Sequence, residues 1–304
     1  MKILLVTTWE EKCGLAEFSK NLMKSLSAFP VEFQIARVGE DANLYSDTDC
    51  DVIHLGYIPT APMSSTWFEP SFRATKIIEH HTTLPGEHPS FPGFDRVVTH
   101  HQMPNCTYIP FGIVEVEGES KPSGGLRIGT AGFPFRHKLI QEICGATAEI
   151  EGASMLLLMP ESHHVNAGAQ AQECLSIVDG RIPVEIIYDW LSEEEIILKL
   201  RECDVAIFGS EGDNGGIGGA VRLGIAAKVP VIVPDAWHFS DIKDYVYSMP
   251  LEEFKTPAEL AKMIRRAASE RKDCWTFLLR EMGWSVVAQA YYDLYRNCLE
   301  GLQE

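Results

Sequence analysis

Residues 204–234 read DVAIFGSEGDNGGIGGAVRLGIAAKVPVIVP. The apolar run Val205–Phe208 predicts a buried parallel strand. A loop rich in Gly, Asp and Asn follows from Gly209 to Gly219, then a helix over Ala220–Lys228 and a second strand over Val229–Val233. Gly215, Gly216, Gly218 and Gly219 stand where the loop becomes the helix. Without Cβ atoms they let the backbone approach a ligand and leave the first helical N–H groups uncovered. Uncovered amides at the positive end of a helix dipole favour a phosphate, and Arg222 adds a cation about one turn further on. The stretch Gly216-Ile217-Gly218-Gly219 is therefore either a pyrophosphate seat or a flexible surface loop.

The same alternation runs outward in both directions. Upstream, strands are expected over Lys2–Thr8, Val31–Val38, Val52–Gly56, Ala74–His80, Arg96–Thr99 and Cys106–Pro110. The first is followed by a helix from about Leu15 to Ser27, whose Leu15, Phe18, Leu22 and Leu26 fall on one face. Gly14, at the joint between loop and helix, is either a plain turn glycine or a point of close approach to a ligand. Glu115–Gly125, EVEGESKPSGG, breaks the composition and suits a linker. Beyond it the pattern restarts with strands at Leu126–Ala131, Met155–Met159 and Val184–Ile187 and a helix at Leu139–Ile150. Ser192 with Glu195 forms a capping box for a helix reaching about Glu202. Pro257–Ser269 and Trp284–Leu302 close the chain as helices. The fold class expected is α/β, with two Rossmann-like doubly wound domains facing a cleft. The boundaries are 1–118 for the first, 124–280 for the second, and about 284–304 for a last helix crossing back to the first.

Bulk composition narrows the function. With 304 residues the chain is long enough for two domains. Lys+Arg total 26 against 43 Asp+Glu, a net charge of −17, which opposes nonspecific attraction to nucleic acid or an anionic bilayer. No apolar run is long enough to span a membrane, and the apolar start meets Trp9-Glu10-Glu11-Lys12 without a signal-peptide cleavage site. The 8 cysteines lie scattered, as reduced thiols of a cytoplasmic protein do.

Asp47, Asp49 and Asp51 invite a divalent-metal reading. They precede a strand, however, whereas ligands in open α/β sheets gather at carboxyl ends, so no metal site is assigned. Neighbouring residues of a strand face opposite ways, so the pairs His80-His81, His100-His101 and His163-His164 are poor chelators. Each pair offers one inward or cleft-facing histidine. His81 stands out because it follows directly on a strand end, as a ligand-facing residue or as a hydrogen-bonded structural one.

Taken in order, these segments resemble the GT-B glycosyltransferases of the retaining type grouped as family 4. KILLVTTWEEKCGLAEFSKNL (2–22) is similar to the family's first strand, glycine loop and helix. DVIHLGY (51–57) and IIEHHT (77–82) resemble two strands of its N-terminal domain, the second ending in a histidine of the catalytic region, here His81. YIPFGI (108–113) resembles the strand before the domain crossover. LRIGTAGFPFRHK (126–138) resembles the strand and basic loop that hold the donor diphosphate, which implies that role for Arg136 and Lys138. YDWLSEEEIILKLRECDVAIFGS (188–210) resembles the lining of the base pocket, implying base contacts from Asp189, Trp190 and Leu191. GAVRLGIAAKVPVIVPD (219–235) and MGWSVVAQAYYDLY (282–295) resemble the donor helix and the closing helix. One departure stands out. The family's paired glutamates flanking the donor helix are replaced by Gly215 and Leu223 when the chains are aligned on Pro230. Glu211 is left as a candidate for the donor sugar.

The resemblance implies a donor that is a nucleoside-diphosphate sugar, UDP- or GDP-linked, with no cofactor and no metal. The acceptor is open: a sugar, a lipid-linked sugar or another hydroxyl, with nucleic acid disfavoured by the charge. Rival readings are a GT-B-shaped protein that binds without transfer, and a sugar-nucleotide isomerase, for which the C-terminal half lacks a paired carboxylate. A dinucleotide oxidoreductase is opposed by the missing G-x-G-x-x-G in the first turn.

Overall fold

A computed structural model of the chain describes residues 1–37, 50–57, 74–81, 91, 93–120, 124–162, 165–211 and 216–301. Val38, Asp47, Asp49, Thr82, His163, His164 and Gly215 lie outside the described residues. The chain divides into two compact units. One comprises Met1–Gly112, Asn214–Ile217 and Met282–Glu304; the other comprises Ile113–Asp213 and Gly218–Glu281.

The first unit holds a six-stranded parallel sheet in the order β2-β1-β3-β4-β5-β6. Its strands are β1 (Lys2–Thr7), β2 (Glu32–Arg37), β3 (Val52–Tyr57), β4 (Thr75–His80), β5 (Arg96–Thr99) and β6 (Thr107–Tyr108). Helix α1 (Gly14–Leu26) follows β1 and buries Leu15, Phe18, Leu22 and Leu26, the face expected from their spacing. On the opposite face of the sheet Leu4, Val6, Ala36, Ile53, Leu55 and Ile78 form a core with Phe91, Phe94 and Val97 packed on it.

The second unit repeats the plan with six parallel strands in the order β12-β11-β10-β7-β8-β9. The strands are β7 (Arg127–Ala131), β8 (Ser154–Leu158), β9 (Val184–Ile187), β10 (Val205–Ile207), β11 (Val231–Pro234) and β12 (Tyr247–Met249). The helices are α2 (Ile140–Ala148), α3 (Ala167–Val178), α4 (Glu193–Leu200), α5 (Gly219–Ala226), α6 (Leu251–Phe254), α7 (Pro257–Glu270) and α8 (Thr276–Met282). The capping box of Ser192 and Glu195 is formed at the start of α4. The last helix, α9 (Trp284–Glu300), belongs to the first unit and packs on α1, burying Val287, Tyr291, Leu294 and Tyr295.

Strand β12, the helices α3, α6 and α8 and the anchoring of the linker were not expected. Helix α3 carries weak apolar periodicity and is set by Asn166, whose side chain caps Ala169 N–H. The linker is also strapped down. Arg201, 6% exposed, donates to the carbonyls of Glu117 and Val116 at 2.6 Å each, and Lys228 pairs with Glu119 at 3.0 Å. Its turn depends on Gly118 at φ +104°, a conformation that favours glycine.

Candidate functional site

In the second unit the chain leaves β7 for β8 and β9 on one side, then returns through α4 to β10 on the other. Neighbouring strands whose connections run opposite ways open a crevice at their carboxyl ends. Strands β7 and β10 are such neighbours, with Val205 beside Ile128 and Ala206 beside Gly129. The loops leaving them are knitted together. Glu211 N–H donates to the His137 carbonyl at 3.0 Å. A Cβ on Gly209 would lie 2.4 Å from the Lys138 carbonyl oxygen, so only glycine lets β10 exit beneath the turn Arg136–Lys138. Gly132, at φ +124°, swings the loop after β7 against the first turn of α5, where its added Cβ would meet Ala220 at 3.4 Å.

Helix α5 opens at Gly218 with no side-chain cap hydrogen bond among the described residues, which leaves its first amides open to another acceptor. Lys138 stands beside it. Its Nζ lies 3.2 Å from Nε2 of His238, and a Cβ on Gly218 would lie 3.1 Å from that same Nε2. Lys138 is partly buried as a residue while its ammonium is enclosed by protein, and this burial pushes its pKa down to about 8. Among the described residues no carboxylate lies within ion-pairing distance of it. A desolvated ammonium with a neutral partner, next to uncovered amides, is arranged to receive an anion.

The other expected residues divide. Arg136 is 72% exposed and turns outward to Glu173 at 3.6 Å, because in a 3₁₀ turn side chains two positions apart point about 120° away from each other. Arg222 is a correction: it is 2% exposed, on the buried face of α5 with Val221 and Ile225, and donates to the Gly218 carbonyl at 3.1 Å and to Asp241. Its charge is answered inside the fold, so it braces the helix mouth and does not face a ligand. Burial raises the Asp241 carboxyl and Arg222 opposes that rise. Asp189, Trp190 and Leu191 follow β9; Trp190 packs 5.6 Å from Phe133, itself 6.0 Å from Phe135, and these rings line the loop after β7. Glu211 is partly exposed and pairs with Lys255 at 3.1 Å. Gly219 is the first residue of α5, whereas Gly216 and Ile217 group with the first unit. His238, missed from the sequence, is a lone histidine after a strand with no motif around it.

The first unit places a second cluster at the carboxyl end of β4. Strand alternation sends Ile77, Glu79 and His81 to one face and Ile78 and His80 to the other, where His80 packs 5.3 Å from Phe91. Glu79 is 1% exposed and receives Tyr291 Oη–H on one carboxylate oxygen and His54 Nε2 on the other at 3.1 Å. His54 Nδ1 meets Tyr295 Oη at 2.6 Å. Burial pushes the Glu79 carboxyl up, but His81 and His54 together outweigh it and hold it well below the usual range. Burial, then the Glu79 charge, holds the Tyr295 hydroxyl well above its usual range.

His81 sits in this cluster. Its Nε2 lies 3.4 Å from Glu79 Oε2, and its Nδ1 lies 3.1 Å from Nε2 of His100. His100 Nδ1 must donate to the Ile109 carbonyl, 2.9 Å away, so its Nε2 accepts from His81 when His100 is neutral. Both ring nitrogens of His81 thus face protein groups. Glu79, His81 and His100 bring possible ligand atoms within 4.8 Å of one another, the only such trio among the described residues. His100 Nε2 lies 3.1 Å from His81 Nδ1 and 3.3 Å from Glu79 Oε1, so the three side chains form one closely knit cluster. Gly14 opens α1 with clear space where its Cβ would be.

No protein-family model matches the chain, and no curated protein matches it. Solved structures do. AviGT4, a glycosyltransferase involved in avilamycin A biosynthesis, matches with 16% identity and a TM-score of 0.67, covering 99% of this chain and 98% of its own. Sucrose-phosphate synthase from Thermosynechococcus elongatus matches at 13% identity and TM-score 0.74, over 99% and 100%. Anabaena HepE, solved with UDP and glucose, matches at 11% identity and TM-score 0.70, over 98% and 100%. The two six-stranded parallel sheets with their helices are thus the GT-B glycosyltransferase fold over nearly the whole length of the chain.

Proposed function

We propose that this protein is a glycosyltransferase that moves a sugar from a nucleoside-diphosphate sugar to a hydroxyl acceptor, without a metal and with retention. The observation that carries the reading is the enclosed Lys138 ammonium, which has a neutral imidazole for partner and the amide end of α5 beside it. The departing nucleoside diphosphate gains negative charge in the transition state, and preorganised cations and amides stabilise that charge. Lys138 and the Gly218–Gly219 end of α5 are those groups here. The backbone of Asp189–Leu191, beside the Phe133 and Trp190 rings, is where the base would rest. A UDP-linked donor is favoured because HepE was solved with UDP-glucose; a GDP-linked one is the alternative.

Residues 124–280 form the donor domain in this reading, and residues 1–118 with 284–304 the acceptor domain. In this reading His81 belongs to the acceptor domain and would exchange its contact with His100 for one with a substrate hydroxyl. The acceptor is a sugar, a lipid-linked sugar or another small hydroxyl compound. One neighbour is an α-glucosyltransferase solved with DNA, but a net charge of −17 opposes a nucleic-acid acceptor. No helix among the described residues is long and apolar enough to cross a membrane, and cysteines that form no disulfide suit the cytoplasm.

A second reading, binding without transfer, is favoured by Glu211 being paired to Lys255 and by both His81 nitrogens facing protein. Incubation with UDP- and GDP-sugars labelled in the sugar separates the two. Transfer of label to an acceptor or to water, with release of the nucleoside diphosphate, supports the enzyme. Tight binding with intact donor after prolonged incubation supports the binding protein.

A further inference from the structure

Lys138 is held by His238. That residue lies in the short turn Trp237–Phe239 after β11, is 4% exposed, and accepts the Gly218 N–H on its carbonyl at 3.4 Å. Its ring edge fills the space where a Gly218 side chain would stand, with Cδ2 and Nε2 both 3.1 Å from an added Cβ. An ammonium has only protons to offer, so at the 3.2 Å contact Nε2 is the acceptor and the imidazole carries its proton on Nδ1. The kind of partner matters. A carboxylate at this place would neutralise Lys138 and compete with any anion for it. A neutral imidazole fixes the direction of the ammonium and leaves its charge unspent.

Resting on the diphosphate reading above, we propose that His238 is the positioning residue of the anion seat. It clasps Lys138 to the uncovered end of α5, so that cation and amides address the same diphosphate. His238 touches no substrate in this role; it acts through Lys138.

A double-mutant cycle tests it, with UDP and GDP as titrants in calorimetry on the full chain. His238→Leu removes the acceptor at similar volume, and His238→Gln supplies an amide oxygen in place of Nε2. His238→Leu is expected to weaken nucleoside-diphosphate binding by about tenfold in the wild-type background, and His238→Gln to restore most of it. In the Lys138→Met background His238→Leu is expected to change affinity less than about twofold, because the group it positions is gone. Near-UV circular dichroism checks that each variant keeps its packing. If His238→Leu misfolds, the His238→Gln and Lys138→Met pair decides, since a positioning role requires the smaller Gln effect to vanish in the Met background as well. Equal losses in both backgrounds, or no loss in the wild type, overturn the proposal while leaving the seat. Failure of the wild type to bind either nucleotide removes the seat itself, and this role with it.

Discussion

Replacing Lys138 by Met keeps the length and apolar stem of the side chain and deletes its charge. A hydrogen bond to a charged group contributes about 1.5–3 kcal/mol, and loss of one oxyanion donor costs about 2.7–4 kcal/mol in a transition state. The cost of enclosing the ammonium is already borne by the folded protein, as its lowered pKa of about 8 records, so little of the gain on binding is spent again. About 2–3 kcal/mol is therefore expected, or about 30- to 150-fold in nucleoside-diphosphate affinity. The pH dependence adds a signature. Free lysine titrates at 10.5 and Lys138 at about 8, so its charge is lost as pH rises through 8, and a bound diphosphate pulls the proton back. Wild-type affinity should then fall about tenfold between pH 7 and pH 9, with net proton uptake near pH 8, while Lys138→Met stays flat. Calorimetry with UDP and GDP in buffers of different ionisation enthalpy reads both quantities. Binding by Lys138→Met within about twofold of wild type, or wild-type binding without proton uptake at pH 8, would remove Lys138 from the diphosphate site.

Arg136→Ala, at an exposed side chain paired with Glu173, is expected to change the same affinity less than about threefold, since exposed pairs are worth under about 1 kcal/mol; a loss equal to that of Lys138→Met would put both cations in the seat. Gly209→Ala places a methyl 2.4 Å from the Lys138 carbonyl and should cost about 1–3 kcal/mol of stability in urea unfolding, because the backbone has to move; unchanged stability and affinity would show that the loop has room. Tyr291→Phe removes a donor from the buried Glu79 carboxylate and is expected to cost about 1–3 kcal/mol; an effect below about 0.5 kcal/mol would show that α9 is not held by this contact. Treatment with EDTA should leave turnover unchanged, whereas inactivation reversed by added Mn²⁺ would point to a metal at Glu79, His81 and His100 or at the aspartates before β3.

Much of the fold was legible because it is local. Alternation of short apolar runs with helical periodicity placed most strands within a residue or two, and the box Ser192–Glu195 marked its helix start. The elements of the proposed seat were legible in part, since Gly218–Gly219 at a strand-to-helix turn and the lysine loop both lie at carboxyl ends. What the sequence hid are pairings between distant residues. Arg222 read as a free cation, but it stands three positions before Ile225, on the apolar face of α5, where Asp241 answers it. Glu79 and Tyr291 are 212 residues apart, and nothing near either marks the other. His238 meets Lys138 across 100 residues through a turn with no pattern of its own. Arg136 and Lys138 looked equivalent as neighbours in one loop, and only the tight turn over Arg136–Lys138 separates outward from inward.

A nucleoside diphosphate seated on the second unit must stabilise the folded chain. Thermal unfolding of the full chain with UDP, GDP, ADP and their sugar conjugates tests it most directly. A ligand at 100 times its Kd adds about 2.7 kcal/mol of stability, which for units of this size raises the midpoint by roughly 5–10 °C. Such a rise is expected with at least one UDP- or GDP-compound, and its abolition in Lys138→Met. A midpoint unmoved by every nucleotide at millimolar concentration would contradict that expectation.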